Sequence, residues 1–475
     1  MSRLMGAIAA TRFGLGARAG EIDEAASDPR GWLKQQIRPD AAVLPAGDLK
    51  SSEQVFAERA ADYSMAGGLR PVGGAVDEET QRAVRQRIQR EAREGLQREV
   101  EARARHAATT PDSFAERWLR FWSNHFTVAA RNAQMIGLVG PYEREAIRPH
   151  VFGPFASLLG HAVLHPSMLV YLDAARSIGP STLAAQRRDV GLNENLAREV
   201  LELHTLGVGT GYSQDDIIEF AKALTGWTVS GPQTARIAAA GRGGRGGRGQ
   251  APALDPGEVV FVEILHEPGA RTVLGKSYGG EAKQQAAVIL DDLALHPATA
   301  RHVATKLARH FVADVPSPST VARLEDVFLQ TRGDLSELAR AIVDLDEAWE
   351  PEQRKFKTPE ELLVSAARAA GPQAAFGGAQ RQVYTSLAQA PFSAPSPAGW
   401  PDDTETWSGA DAVKKRLEWA NAASRRMPRG RSPLDFLDAA LGDLVSPRTR
   451  QAVSRAESAE QGLTLALMSP EFQRR

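Results

Sequence analysis

Cysteine is absent from all 475 residues, which removes disulfides, thiolate nucleophiles and thiolate metal sites together. Any metal must then be held by His, Asp, Glu or backbone oxygen. An excess of charge is missing too, since Lys+Arg 57 against Asp+Glu 58 gives a formal net charge of -1. That balance argues against bulk electrostatic capture of nucleic acid or an anionic membrane. Long apolar runs are also lacking. No window approaches the ~18 uninterrupted apolar residues that a membrane-spanning helix needs. The opening MSRLMGAIAATRFGLG offers only Leu4–Ala10 before Arg12, without a cleavage site or twin Arg, so the expectation is a cytoplasmic protein with no cleaved leader. Neither a repeat of fixed period nor a sustained heptad is present.

What is there is a soluble composition, 43% hydrophobic and 24% charged, on a chain long enough for two or three packed subregions. Apolar spacing is helical almost throughout. The expected division is an N-terminal helical segment over 1–65, a charged helical arm over 66–109, a main body over 110–370, and a Pro/Trp loop with helices over 371–475. Ala66–Ala75 reads as a Gly-rich link. In the arm, Val84, Ile88, Leu96 and Val100 form one thin stripe, which suits a helix lying on the body with its other faces solvated, or a dimerisation helix. Ala238–Ala253 carries the run GRGGRGGRG; placed between structured segments it reads as a loop more than as an RNA-binding tract. Val259–Leu265 and Thr272–Leu274 are β-branched and suggest one small hairpin around 258–275, with His266 and Glu267 in its loop. The fold class expected is therefore mainly α, a multi-helix bundle with that hairpin. Two nucleotide-like motifs fail. GLGARAG after Arg12 has the wrong spacing and no preceding strand, and GARTVLGKS (Gly269–Ser277) separates its glycines by one residue too many and lacks a following helix.

Thr110–Pro111 predicts a helix start. Phe114, Trp118, Phe121 and Trp122 then share a face, and His125 returns to within about 20° of it, with Asn124 adjacent. His161 and His165 are spaced as metal pairs are, but Pro166 interrupts them. The densest stretch is Gly191–Ser230, where Asn193, Glu194, Asn195, Arg198, Glu199, Glu202 and His204 crowd one helix. Asn195, Glu199 and Glu202 fall on one side, while Glu194 and Arg198 make an i,i+4 pair. Two carboxylates one turn apart can ligate a metal or divide acid and base roles; equally, they can pair with Arg residues while His204 serves the helix C-terminus. Ser213 through Asp216 is capping-box-like, and Trp227 follows. His302, Lys306 and His310 repeat at intervals of four, a basic face that is either solvated or able to bind an anion. Pro391–Trp407 is aromatic- and Pro-rich, as suits a fixed loop over the body.

Several segments resemble one bacterial family, the domain of unknown function 1800. They are Phe121–Val128 (FWSNHFTV), Gly140–Val151 (GPYEREAIRPHV), His165–Asp173 (HPSMLVYLD), Asn193–Val208 (NENLAREVLELHTLGV) and Ala223–Val229 (ALTGWTV). Thr272–Gly275 (TVLG), His296–Asp314 (HPATARHVATKLARHFVAD), Ser396–Pro401 (SPAGWP) and Ser469–Gln473 (SPEFQ) extend the likeness over essentially the whole chain. The resemblance implies a mainly helical fold, brings no reaction or cofactor with it, and suggests as partner the product of a neighbouring sulfatase-like family. Many relatives look exported. From the residues, the leading expectation is an enzyme with a Glu/His pocket. In it Glu199, Glu202, His204, His125 and Arg198 act, and Trp122, Asn124, Asp173, Asn193, Glu194, Asn195, Trp227 and His266 contact substrate. A divalent metal held by His and carboxylates is one form of it. The alternative is a non-catalytic binding or scaffold protein whose buried polar groups lock helices together.

Overall fold

The centre of the molecule is the helix Ser113–His125, buried on nearly every side. A helix apolar or paired all round belongs inside a bundle, and this one is wrapped by others. In the computed structural model, residues 2–45, 47–65, 78–186, 191–231, 234, 255–427, 430 and 432–475 are described. The Gly-rich link expected at 66–75 and the Arg/Gly run expected at 238–253 lie outside them. Phe13, Phe114, Trp118, Trp122, Phe126, Phe155 and Phe311 form one aromatic core, with ring centroids 4.8 to 6.4 Å apart across such pairs as Phe13–Trp349 and Phe114–Trp118. Each such side chain contributes roughly 1.5–3 kcal/mol by leaving water. Trp118 also satisfies its indole, which donates to Val151 O at 2.7 Å.

Local chemistry explains most helix ends. Pro359–Ala370 begins with a full capping box, Thr358 receiving Glu361 N and Glu361 receiving Thr358 N, with Pro at the first position. Gln214–Leu224 begins likewise on Ser213 and Asp216. Pro297–Phe311 is capped by the His296 imidazole, which accepts from Ala298 N at 3.1 Å. The start predicted at Thr110–Pro111 falls slightly early. The helix opens at Ser113, and Thr110 Oγ1 instead accepts from Asp112 N at 3.1 Å, making a turn that leads into it. Among the described residues three segments wind as π-helices: Ala9–Phe13, Glu143–Ile147 and Val200–His204.

The charged arm is the helix Glu78–Thr109. Leu96 and Val100 are buried while Val84 and Ile88 stay half-buried, so its second half belongs to the body. The fold is mainly α, and its β structure among the described residues is two small antiparallel pairs. Strand β1 (Trp227–Val229) pairs with β2 (Val259–Phe261), and β3 (Arg271–Val273) with β4 (Lys276–Tyr278). The strands at 259 and 271 therefore do not pair with each other. Gly275 at φ +73 makes the tight β3–β4 turn, while Trp227 stacks edge-on against Phe261 at 5.5 Å and holds β1 to β2. Among the described residues no helix is long and apolar enough to cross a membrane.

Candidate functional site

A cavity of about 540 Å³ opens beside the central helix, within the size range of small-molecule sites. One face of Ser113–His125 supplies Arg117, Arg120, Phe121, Asn124 and His125, which helical spacing brings together. Pro297–Phe311 adds Lys306, Arg309 and His310, the start of Pro359–Ala370 adds Glu360 and Glu361, and Arg103 reaches in from the arm. The roof is the 389–403 loop, with Phe392, Trp400 and Asp402. Asn124 fastens that roof. Its Nδ2 donates to Trp400 O at 2.9 Å and its Oδ1 accepts from Trp400 N at 2.7 Å. Gly399, at φ +84, passes so close that a Cβ there would lie 2.5 Å from Asn124 O. Farther along, Ala130 N donates to Phe392 O at 2.8 Å. Phe392 holds φ +57, a left-handed conformation costing a bulky residue on the order of 1–3 kcal/mol, and the Arg103 guanidinium lies 5.5 Å from its ring centre.

The walls carry a buried ion network. Glu116, fully buried, accepts from Arg148 at 2.9 Å and from Arg120 at 3.2 Å. Glu143 binds Arg103 and Arg148, both at 2.8 Å, and Glu360 is shared by Arg103 and Arg120. Glu361 binds Arg117, and Arg475 at 2.9 Å. Burial alone would raise the pKa of Glu116, Glu143 and Glu361, but the arginines outweigh it and all three sit below the usual carboxylate range. Asp402 is gripped by His310 Nδ1 at 2.6 Å and by Lys355 at 3.1 Å. Its pKa is held well below normal, against a burial effect of opposite sign. Because the carboxylate can only accept, His310 carries its proton on Nδ1 and leaves Nε2 as the unprotonated nitrogen. Burial lowers the His310 pKa although Asp402 opposes it.

Two cations on this wall stand apart. Among the described residues, neither Lys306 nor Arg309 has a carboxylate within ion-pair distance. Burial pulls the Lys306 amine down to about 8, with Asp402 opposing. Arg309 is exposed at the rim, and its Nε donates to the Asp314 carbonyl at 3.2 Å. Every lining carboxylate, by contrast, is engaged: Asp314 by Lys355 at 2.6 Å, and Asp403 by Thr406 N at 2.7 Å.

Of the residues singled out from the sequence, His125 and Asn124 line this cavity. Trp122 lies directly behind His125, its ring 5.4 Å away. His204 is brought close as well, its ring 5.9 Å from that of His125. His125 Nε2 donates to His204 O and His302 Nε2 to Leu203 O, each at 3.1 Å. The two imidazoles thus cap carbonyls left free where the π-helical segment ends. All three rings are held neutral by burial, His204 pulled down to about 3 and His302 to about 4. Glu199 and Glu202 are elsewhere. Arg198 pairs with Glu194 at 3.0 Å and with Glu202 at 3.7 Å on a half-buried face, and none of Asn193, Glu194, Asn195, Arg198, Glu199 or Glu202 lines the cavity. Burial, then Glu202, raises the Glu199 pKa. Asn193 Oδ1 accepts from Asn195 N at 2.9 Å. Asp173 is exposed. Trp227 is in β1, and His266 donates from Nδ1 to Thr225 O at 2.8 Å. His161 stacks on His150 at 3.7 Å while His165 pairs with Glu145 at 3.0 Å, so those two histidines face different partners. Among the described residues no group of three or more His, Asp or Glu side chains is placed to hold a metal ion.

Missing from the sequence reading are the arginine ladder, Asp402 and the role of the 389–403 loop. The signal for Lys306 and His310 was their spacing; for Asp402, 92 positions from His310, there was none.

These features define a class: a mainly helical protein with a heavily charged cavity beside its central helix. The chain belongs to the family described as protein of unknown function (DUF1800), whose model matches residues 8–474. No curated protein and no solved structure matches it.

Proposed function

We propose that the protein is an enzyme whose reaction takes place in the cavity beside the central helix, with the Lys306 amine as its reactive group. The observation that carries this reading is an unpaired amine facing a small-molecule-sized cavity inside a network where the carboxylates are committed elsewhere. An amine that titrates near 8 supplies free base at neutral pH, as nucleophilic and proton-abstracting lysines require. Asp402 faces it as a fixed anion, oriented by His310 and Lys355. Burial is the main cause of the lowered Lys306 pKa, and the neighbouring Arg309 charge adds to it.

Trace acetylation with acetic anhydride across pH, read by mass spectrometry, tests this. Lys306 is expected to react with a midpoint near pH 8, against about 10.4 for ordinary lysines. An ordinary midpoint, or no acetylation of Lys306, overturns the reading.

A scaffold is the competing reading, favoured by the complete mutual pairing of Glu116, Glu143 and Arg148. It accounts for those three groups and leaves the lone amine without a purpose.

A further inference from the structure

The cavity's uncommitted charge is of one sign. Its carboxylates are each bound to an arginine, a lysine, a histidine or a helix N-terminus, whereas among the described residues Lys306 and Arg309 are paired with no carboxylate. The two follow one another at i,i+3 on Pro297–Phe311, so their Cβ atoms are about 5–6 Å apart on one face. Their environments differ. Arg309 is exposed at the rim and keeps its terminal nitrogens free, since only Nε is used, on the Asp314 carbonyl. Lys306 lies deeper, among His125, Asp402 and the aromatic walls. A guanidinium with a free fork suits a planar carboxylate. A free amine one turn away suits an electrophilic carbon at the other end of the same short molecule.

We infer that the substrate is a small carbonyl compound bearing a carboxylate, which Arg309 holds at the rim while Lys306 forms an imine with the carbonyl carbon. This rests on the reading of Lys306 as the reactive amine. The step balances as an addition followed by loss of water. The nitrogen lone pair forms the C–N bond as the carbonyl π pair moves to oxygen. That oxygen then leaves as water, carrying both protons the amine gives up, and the second nitrogen electron pair completes the C=N bond. No oxidant or reductant is consumed.

The test compares 4-oxobutanoate with butanal, two aldehydes of equal chain length that differ in the carboxylate, each trapped on the full-length protein with cyanoborohydride and mapped by mass spectrometry. The expected result is at least tenfold faster trapping of 4-oxobutanoate at Lys306. In Arg309→Gln that preference should fall to within about twofold, with both aldehydes compared on the variant itself because Arg309 also helps to lower the Lys306 pKa. Equal trapping of both aldehydes at Lys306 overturns the substrate class and leaves the reactive amine standing. A tenfold preference that survives Arg309→Gln removes Arg309 as the carboxylate's holder. No trapping of either at Lys306 rejects the amine itself, and the enzyme reading with it.

Discussion

Glu116 shows how much of this protein depends on single buried charges. It has no contact with water and serves Arg148, Arg120 and, at 3.7 Å, His106. Replacing it by Gln keeps the shape but leaves two arginines short of a counter-charge, a change that costs about 3–5 kcal/mol. Urea denaturation of Glu116→Gln is expected to show that loss; a change under 1 kcal/mol would mean that the ladder carries little stability. The neutral histidines make a second prediction. His204 and His302 titrate below their ordinary 6.5 in the folded chain, so between roughly pH 4 and 6.5 the unfolded chain binds more protons. Stability is complete above 6.5 and falls as pH drops through that window, by on the order of a few kcal/mol. His302→Gln keeps a donor for Leu203 O and removes the titration. Its stability should therefore decline less than that of wild type between pH 7 and 5, and an identical decline would refute the account.

At the scale of elements, helix ends and faces were readable and their partners were not. Ser213 with Asp216 and Thr358–Pro359 could be read because capping chemistry is confined to four consecutive residues. The inward turn of His125 could be read because one straight helix carries it and the aromatics. The Glu199/Glu202 face had no such security. The helix Asn195–Glu199 passes into a π-helical turn over Val200–His204, and steps of 100° per residue stop describing it there. His204 goes inward while Glu202 stays with Arg198 on the half-buried side. The π-helical turn Glu143–Ile147 offers a test, since it sets both Glu143 and Arg148 into the ladder. Deleting Glu145 should restore an α-helical path, rotate Arg148 by about 100° and break its pair with Glu116. A melting temperature within a few degrees of wild type would contradict this.

For the whole molecule, the notable quantity is separation along the chain. Arg117 donates to Gly14 O at 2.7 Å and binds Glu361, which binds Arg475. Arg475 in turn exchanges backbone hydrogen bonds with Lys355, at 2.9 and 3.2 Å. One cluster thus ties four remote parts of the sequence, and no periodicity in the sequence announces such a closure. Apolar spacing foretold a mainly helical fold, but a network joined across hundreds of positions becomes visible only in three dimensions. Such a tie leaves little room for independent units. Unfolding in urea is expected as one transition, with tryptophan fluorescence and far-ultraviolet circular dichroism coinciding. Two separated midpoints would show that the segments outlined from the sequence fold independently.

The fastening between Asn124 and the roof has a practical corollary. Both of its hydrogen bonds end on main-chain atoms of position 400, so the tether is indifferent to whichever ring or branch sits there. Trp400 could be exchanged for smaller or larger groups, reshaping the chamber's interior while its attachment stays the same.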